Sequence, residues 1–202
     1  MSLKIKAPAA ASGESYEPVA AGTYPAVCTM VVDLGTQESN YQGDVKRQPK
    51  IMIAFELGED AGKRSDGTPH KLNRRYTASM HEKSTLRKDL KSWRGKDFTD
   101  AELAEFTPAK LLGKGCMLSV VHTSVGDKTY ANISGIMGLP KGLPPVKPSD
   151  NSLVFDLDDA EAMTTYATLP EWLQGIIAKS PEYQAIAAGR AGIGAAADEE
   201  FY

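Results

Sequence analysis

Residues 113–136, GKGCMLSVVHTSVGDKTYANISGI, limit the fold of this chain more than any other stretch. Two runs rich in β-branched and apolar residues, 116–123 and 129–136, flank Gly126 and Asp127, a pair suited to a tight turn. The pattern predicts two antiparallel strands. Lys114 and Gly115 lead into the first, and Gly138 with Pro140 ends the second. A lone hairpin is marginal in water, so other strands must pack beside it.

Three such strands are predicted upstream. Gly22 opens the first, over residues 23–33, with Pro25 near its start, where a ladder tolerates it. Residues 34–49 read as a long polar loop. The second strand, 50–57, puts Ile51, Ile53, Phe55 and Leu57 on one face by strict alternation. After a turn-rich connection, residues 70–79 form the third. Its two faces carry Leu72, Arg74, Tyr76 and Ala78 on one side, Lys71, Asn73, Arg75 and Thr77 on the other. A helical insert precedes the hairpin. Ser84 suits its N-cap, Leu86, Leu90 and Trp93 make an apolar stripe, and Gly95 stops it. Thr99 and Glu102 then form a capping box for a second, short helix.

Past the hairpin the composition changes. Prolines at 140, 144, 145 and 148 predict a semi-rigid linker over 140–158. Short helices are expected in 159–168, in 170–179 and from Ser180 to 188. The expected division is a flexible arm (1–20), a β domain (21–139), the linker (140–158), short helices (159–190) and a disordered acidic tail (191–202).

Charge is unevenly spread along the chain. Residues 1–149 hold 21 Lys/Arg against 16 Asp/Glu, whereas residues 150–202 hold 2 against 10. Within 46–96 there are 14 basic and 6 acidic side chains. A basic body with an acidic end predicts an anionic partner for the body and a different partner for the end.

Catalytic motifs find little support. Residues 58–64, GEDAGKR, approach a phosphate-binding loop, but the glycines are one residue too close and no Ser or Thr follows Lys63. His70, His81, His122, Cys28 and Cys116 are too scattered for a zinc site, so no metal or cofactor is expected. Asp158 and Asp159 lack the interleaved spacing of a calcium loop. The expectation is a protein that is not an enzyme. Both cysteines sit in apolar strand patterns and read as buried free thiols, which suits a reducing cytoplasm. No apolar run reaches the length of a membrane span, so no membrane partner is expected.

Five strands with a helix between the third and fourth follow the order of an OB-fold barrel, a common platform for single-stranded nucleic acid. The expected fold is therefore mainly β: a five-stranded OB-fold barrel with a helical insert, C-terminal helices and the acidic tail. Single-strand binding needs cations for phosphates and flat rings for bases. The loops joining strands 1–2 and 4–5 would flank a groove over strands 2 and 3. Tyr41, Lys46, Arg47 and Lys50 approach the second strand. Lys71, Arg74, Arg75 and Tyr76 lie on the third, and Lys114, Lys128 and Tyr130 on the hairpin. Those eleven residues are the candidate nucleic-acid contacts.

The final residues, Asp198-Glu199-Glu200-Phe201-Tyr202, set acids directly before two rings. With the five-strand order, this resembles bacterial and phage single-stranded DNA-binding proteins, whose short acidic tails end in an aromatic or apolar residue. The bacterial tail typically ends in Pro-Phe, and the Pro-rich linker with helices after it also departs from that pattern, so the likeness is closer to the phage type. The resemblance implies a non-catalytic protein of phage replication or recombination in the bacterial host cytoplasm. It also implies that these five residues recruit replication or recombination proteins. An alternative is an OB-fold protein-interaction module of such a complex, its helices at 170–188 docking a partner. A homo-oligomer is compatible with either.

Overall fold

The computed structural model describes residues 18–41 and 44–198. In chain order the elements are β1 (Gly22–Tyr41), β2 (Asp44–Leu57), β3 (Lys71–Thr77), α1 (Thr85–Arg94), α2 (Asp100–Ala104), β4 (Gly115–Val125), β5 (Lys128–Gly138), β6 (Leu153–Phe155), α3 (Ala162–Tyr166), α4 (Glu171–Ile177) and α5 (Pro181–Asp198). The fold is mainly β, around one sheet ordered β3-β2-β1-β4-β5, with antiparallel neighbours throughout.

β1 organises that sheet because it is 20 residues long and uses both edges. One edge pairs with β2 from Ala26 to Tyr41. The other pairs first with β4, over residues 22–27, and then in parallel with β6 at Met30, Val31 and Val32. β6 lies inside the stretch expected as linker, and its three residues gave too short a pattern to detect. The sheet stays open among the described residues: no ladder joins β3 to β5. A closed five-stranded barrel is therefore not what the chain forms.

The polar stretch 34–49 is not a loop. β1 and β2 continue through it as a two-stranded ribbon to the Tyr41–Asp44 pair. Arg47 Nε lies 3.1 Å from Glu38 Oε2 across it. Beyond Ser39 and Lys46 the described ribbon side chains meet water, so the apolar alternation that marks a half-buried strand is missing.

Apolar side chains fill both faces of the sheet. On the inner face Cys28, Ile53, Phe55, Leu118 and Ile136 meet Leu86, Leu90 and Trp93 of α1. The α1 ends follow the sequence prediction. Ser84 Oγ accepts from Arg87 N at 3.2 Å, and Gly95 closes the helix at φ 72°. The Thr99–Glu102 capping box also forms. On the outer face Val32, Leu34 and Met52 pack against Phe155, Leu157, Leu173 and Ile177. Residues 153–177 thus pack directly on β1 and β2 of the same chain.

Two polar clamps hold this outer layer. Glu56, 2% exposed, accepts from Ser149 N at 2.8 Å and Ser149 Oγ at 2.6 Å. Glu182 of α5 accepts from Thr36 N at 2.9 Å and Thr36 Oγ1 at 2.6 Å. The second clamp needs Gly35. The β1 register shifts there, φ is 64°, and a Cβ would sit 2.6 Å from Ser180 Oγ. α5 continues to Asp198, past the end expected at 188.

Candidate nucleic-acid interface

Alternation along β3 decides which of its cations face outward. Lys71, Asn73 and Arg75 are exposed, on the face away from the inner core. Lys71 Nζ lies 3.7 Å from Glu56 Oε2 and also pairs with Asp150. That hydrogen bond holds the Asp150 carboxyl below its ordinary pKa. Arg75 has no carboxylate within ion-pair distance among the described residues. Its guanidinium carbon lies 5.9 Å from the Trp172 ring of α4, and that ring is 49% exposed. An exposed ring beside a cation can hold a base face and a phosphate together.

Clefts extend this row at both ends. At one end, Lys71 and Asn73 face Thr123, Val125, Tyr130 and Asn132 of the β4–β5 tip across about 440 Å³. Tyr130 is 41% exposed there, and Lys128 beside it is exposed. At the other end, Arg75, Thr77 and Lys50 border about 530 Å³ with Gln37, Glu38 and Ser39 of β1. Lys50 Nζ is oriented by Thr77 Oγ1 at 2.8 Å and Gln48 Oε1 at 2.9 Å. Lys46 and Arg47 continue outward on the ribbon, Arg47 paired with Glu38. The result is one band from the hairpin tip, over β3, to the β1–β2 ribbon.

Three expected contacts differ: Arg74 and Tyr76 also border the cleft beside Lys50 but turn their polar ends inward to Asp89, and Lys114 lies away from the band. Tyr76 points inward, is 4% exposed and donates its hydroxyl to Asp89 Oδ2 at 2.9 Å. Burial pushes its pKa up. Its ring belongs to the core and offers no face to a base. Arg74 shares that inward side, with Nη1 3.1 Å from Asp89 Oδ2. Arg74 and Arg75 thus leave β3 on opposite faces, as neighbours on a strand do, although both border the cleft beside Lys50. Lys114 precedes β4 at the end far from the hairpin tip and borders a different cleft. The side chain of Tyr41 lies outside the described residues, as do those of Asp198, Glu199, Glu200, Phe201 and Tyr202.

Trp172 was missed by sequence reasoning. Its neighbours Leu173 and Ile177 on α4 are buried, and helical spacing alone would have set Trp172 off their stripe. Its closeness to Arg75 had no local signal.

No protein-family model matches the chain, and no curated protein matches it.

Among the described residues no three His, Cys, Asp or Glu side chains gather to hold a metal. Cys28 and Cys116 are fully buried free thiols, and burial pushes the Cys28 thiol up to about 12. A thiol with so little thiolate is a poor nucleophile. Among the described residues no helix is long and apolar enough to cross a membrane.

Proposed function

We propose that this chain is a non-catalytic single-stranded DNA-binding protein on an OB-type scaffold. The observation that carries this reading is the outward row of Lys71, Asn73 and Arg75. It runs between Tyr130 at one end and Trp172 with Lys50 at the other. Cations would neutralise phosphates while the exposed rings stack on bases, with little sequence choice.

Support for the scaffold comes from connectivity. β1 pairs with both β2 and β4, α1 is inserted between β3 and β4, and the β3 and β5 sides face each other across a cleft. A partly open five-stranded barrel has this character. The C-terminal helices cover the outer face of β1 and β2, so the groove shifts toward β3 and the ribbon. In this reading the setting is phage replication or recombination in a bacterial cytoplasm, and residues 198–202 recruit partner enzymes.

A titration with fluorescent oligo-dT at two salt concentrations tests the proposal. Saturable binding that weakens steeply with salt is expected. Binding absent at low salt overturns it. A protein-interaction module is the second reading, favoured by the exposed Val121, Val125 and Met137 on β4–β5.

A further inference from the structure

A cleft of about 470 Å³ opens between α1, α2 and the start of β4, a size suited to a small ligand or a short peptide end. Its walls are rings. Trp93 is fixed by an Nε1–H bond to the Gly115 carbonyl at 2.8 Å, and Phe98 meets Phe106 edge-on at 5.4 Å. Its polar rim is mostly basic. Arg94 lies 4.0 Å over the Phe98 ring and pairs with Glu102. Among the described residues its Nη1 is buried without a hydrogen-bond partner. Lys110, Lys114 and Glu105 border the same opening, and Lys110 Nζ donates to the Glu105 carbonyl at 2.7 Å. Glu102 is already committed to Arg94, Lys96 and the Thr99 amide. An orphaned guanidinium nitrogen above aromatic walls suits a ligand that brings a carboxylate and a ring together.

We propose that this cleft takes residues 199–202, Glu199-Glu200-Phe201-Tyr202, of a second copy of the chain. Two carboxylates adjoin two rings in that segment, and they match the two kinds of group the cleft presents. The part of α5 that packs, at Tyr183 and Ile186, lies on the outer layer of the sheet, whereas the cleft belongs to the inner layer, so the segment of a second copy is taken as the occupant. A contact in which each molecule gives one segment and receives another is heterologous, and it builds rings or open chains. The cleft shares no lining residue with the β3 band, and the segment that enters it is the one the proposed function gives to partner recruitment.

The receptor for the test is the full-length chain carrying Phe201→Ala and Tyr202→Ala, so that its own segment does not compete. The probe is a fluorescein-labelled peptide of residues 193–202. Saturable anisotropy is expected, at least tenfold weaker in a receptor that also carries Lys114→Glu. It should be absent with a peptide lacking both rings. A melting curve checks each receptor, and Lys114→Ala replaces Lys114→Glu if the latter does not fold. In sedimentation, the parent chain should associate with rising concentration and the double variant should not. Three results overturn the proposal. One is no saturable binding. Another is binding that ignores Lys114 but falls with Arg75→Ala, which moves the segment to the β3 band. The third is a parent chain that stays monomeric at every concentration.

Discussion

The Arg75 guanidinium carbon lies 5.9 Å from the centre of the Trp172 ring, one from β3 and the other from α4. The sheet's outer layer brings them together, because Leu173 and Ile177 bury beside Met52, the cross-strand partner of Arg75. Both groups stay accessible at the edge of that layer.

Arg75 and Arg74 should therefore behave differently on substitution. Arg75→Ala should weaken oligo-dT binding and lower the log–log salt slope by roughly 0.7, the share of one phosphate contact on a single strand. Arg74→Ala should leave that slope unchanged. It should instead lower stability by about 1–3 kcal/mol, because Asp89 loses a charged partner in a largely buried setting. Urea unfolding of both variants beside the titrations separates the two effects. Equal loss of DNA binding would place both arginines on the path.

The contrast marks how far the sequence could be read. Strict alternation in 50–57 and 70–79 separated the two faces of β2 and β3, but it did not show that both faces of β2 are buried or that Arg74 and Tyr76 turn inward. Ser84, Gly95, Thr99 and Glu102 fixed the helix ends through short-range hydrogen bonds. Distant pairings left no such trace. Leu153, Val154 and Phe155 become a strand only because β4 leaves one edge of β1 vacant past Val27. At the ribbon tip residues 38–39 and 44–47 are exposed, so their pairing has no apolar signature. Tyr76 and Tyr130 are both tyrosines on strands, and only burial by α1 and the core separates the packed ring from the accessible one.

Gly35→Ala tests the attachment of α5. The substitution forces a left-handed φ on alanine and drives its Cβ into Ser180, so a loss of at least about 1–3 kcal/mol is expected. Hydrogen exchange should also accelerate at Thr36, whose amide donates to Glu182. An unchanged unfolding midpoint with an unchanged Thr36 amide would show that α5 does not depend on this approach.

Acid should loosen the α1–α2 corner in a defined window. Glu102 falls from its ordinary 4.5 to about 2, chiefly through the Thr99 amide and then Arg94. Asp97 falls from 3.8 to about 2, chiefly through the Lys91 side chain and then the Phe98 amide. Both carboxylates are easier to protonate in the unfolded chain. Their contribution is therefore complete above about 4.5 and is lost as pH falls toward about 2. The melting temperature should drop through that window. Glu102→Gln with Asp97→Asn should flatten the drop while lowering stability at neutral pH. A drop of the same steepness in that variant would assign acid sensitivity to other groups.

The two tryptophans allow a direct optical test of the band. Trp93 is 8% exposed, with its indole N–H held by the Gly115 carbonyl, whereas Trp172 is 49% exposed beside Arg75. Acrylamide should quench Trp172 emission and spare Trp93. A base stacked on the Trp172 ring would quench it in turn and shield it from acrylamide. Oligo-dT should thus lower the emission of the parent chain, and Trp172→Phe should abolish that change. Trp172→Ala should cost about 1–3 kcal/mol of binding, the typical loss for one base–ring stack. Trp172→Phe should lose less, because a phenyl ring still offers a flat face. This ordering distinguishes stacking from a role in holding α4, for which Leu173 and Ile177 already supply the buried contacts. If oligo-dT binds tightly and leaves Trp172 as open to acrylamide as before, the bases follow another route and the band must be redrawn around Tyr130 and the β4–β5 tip.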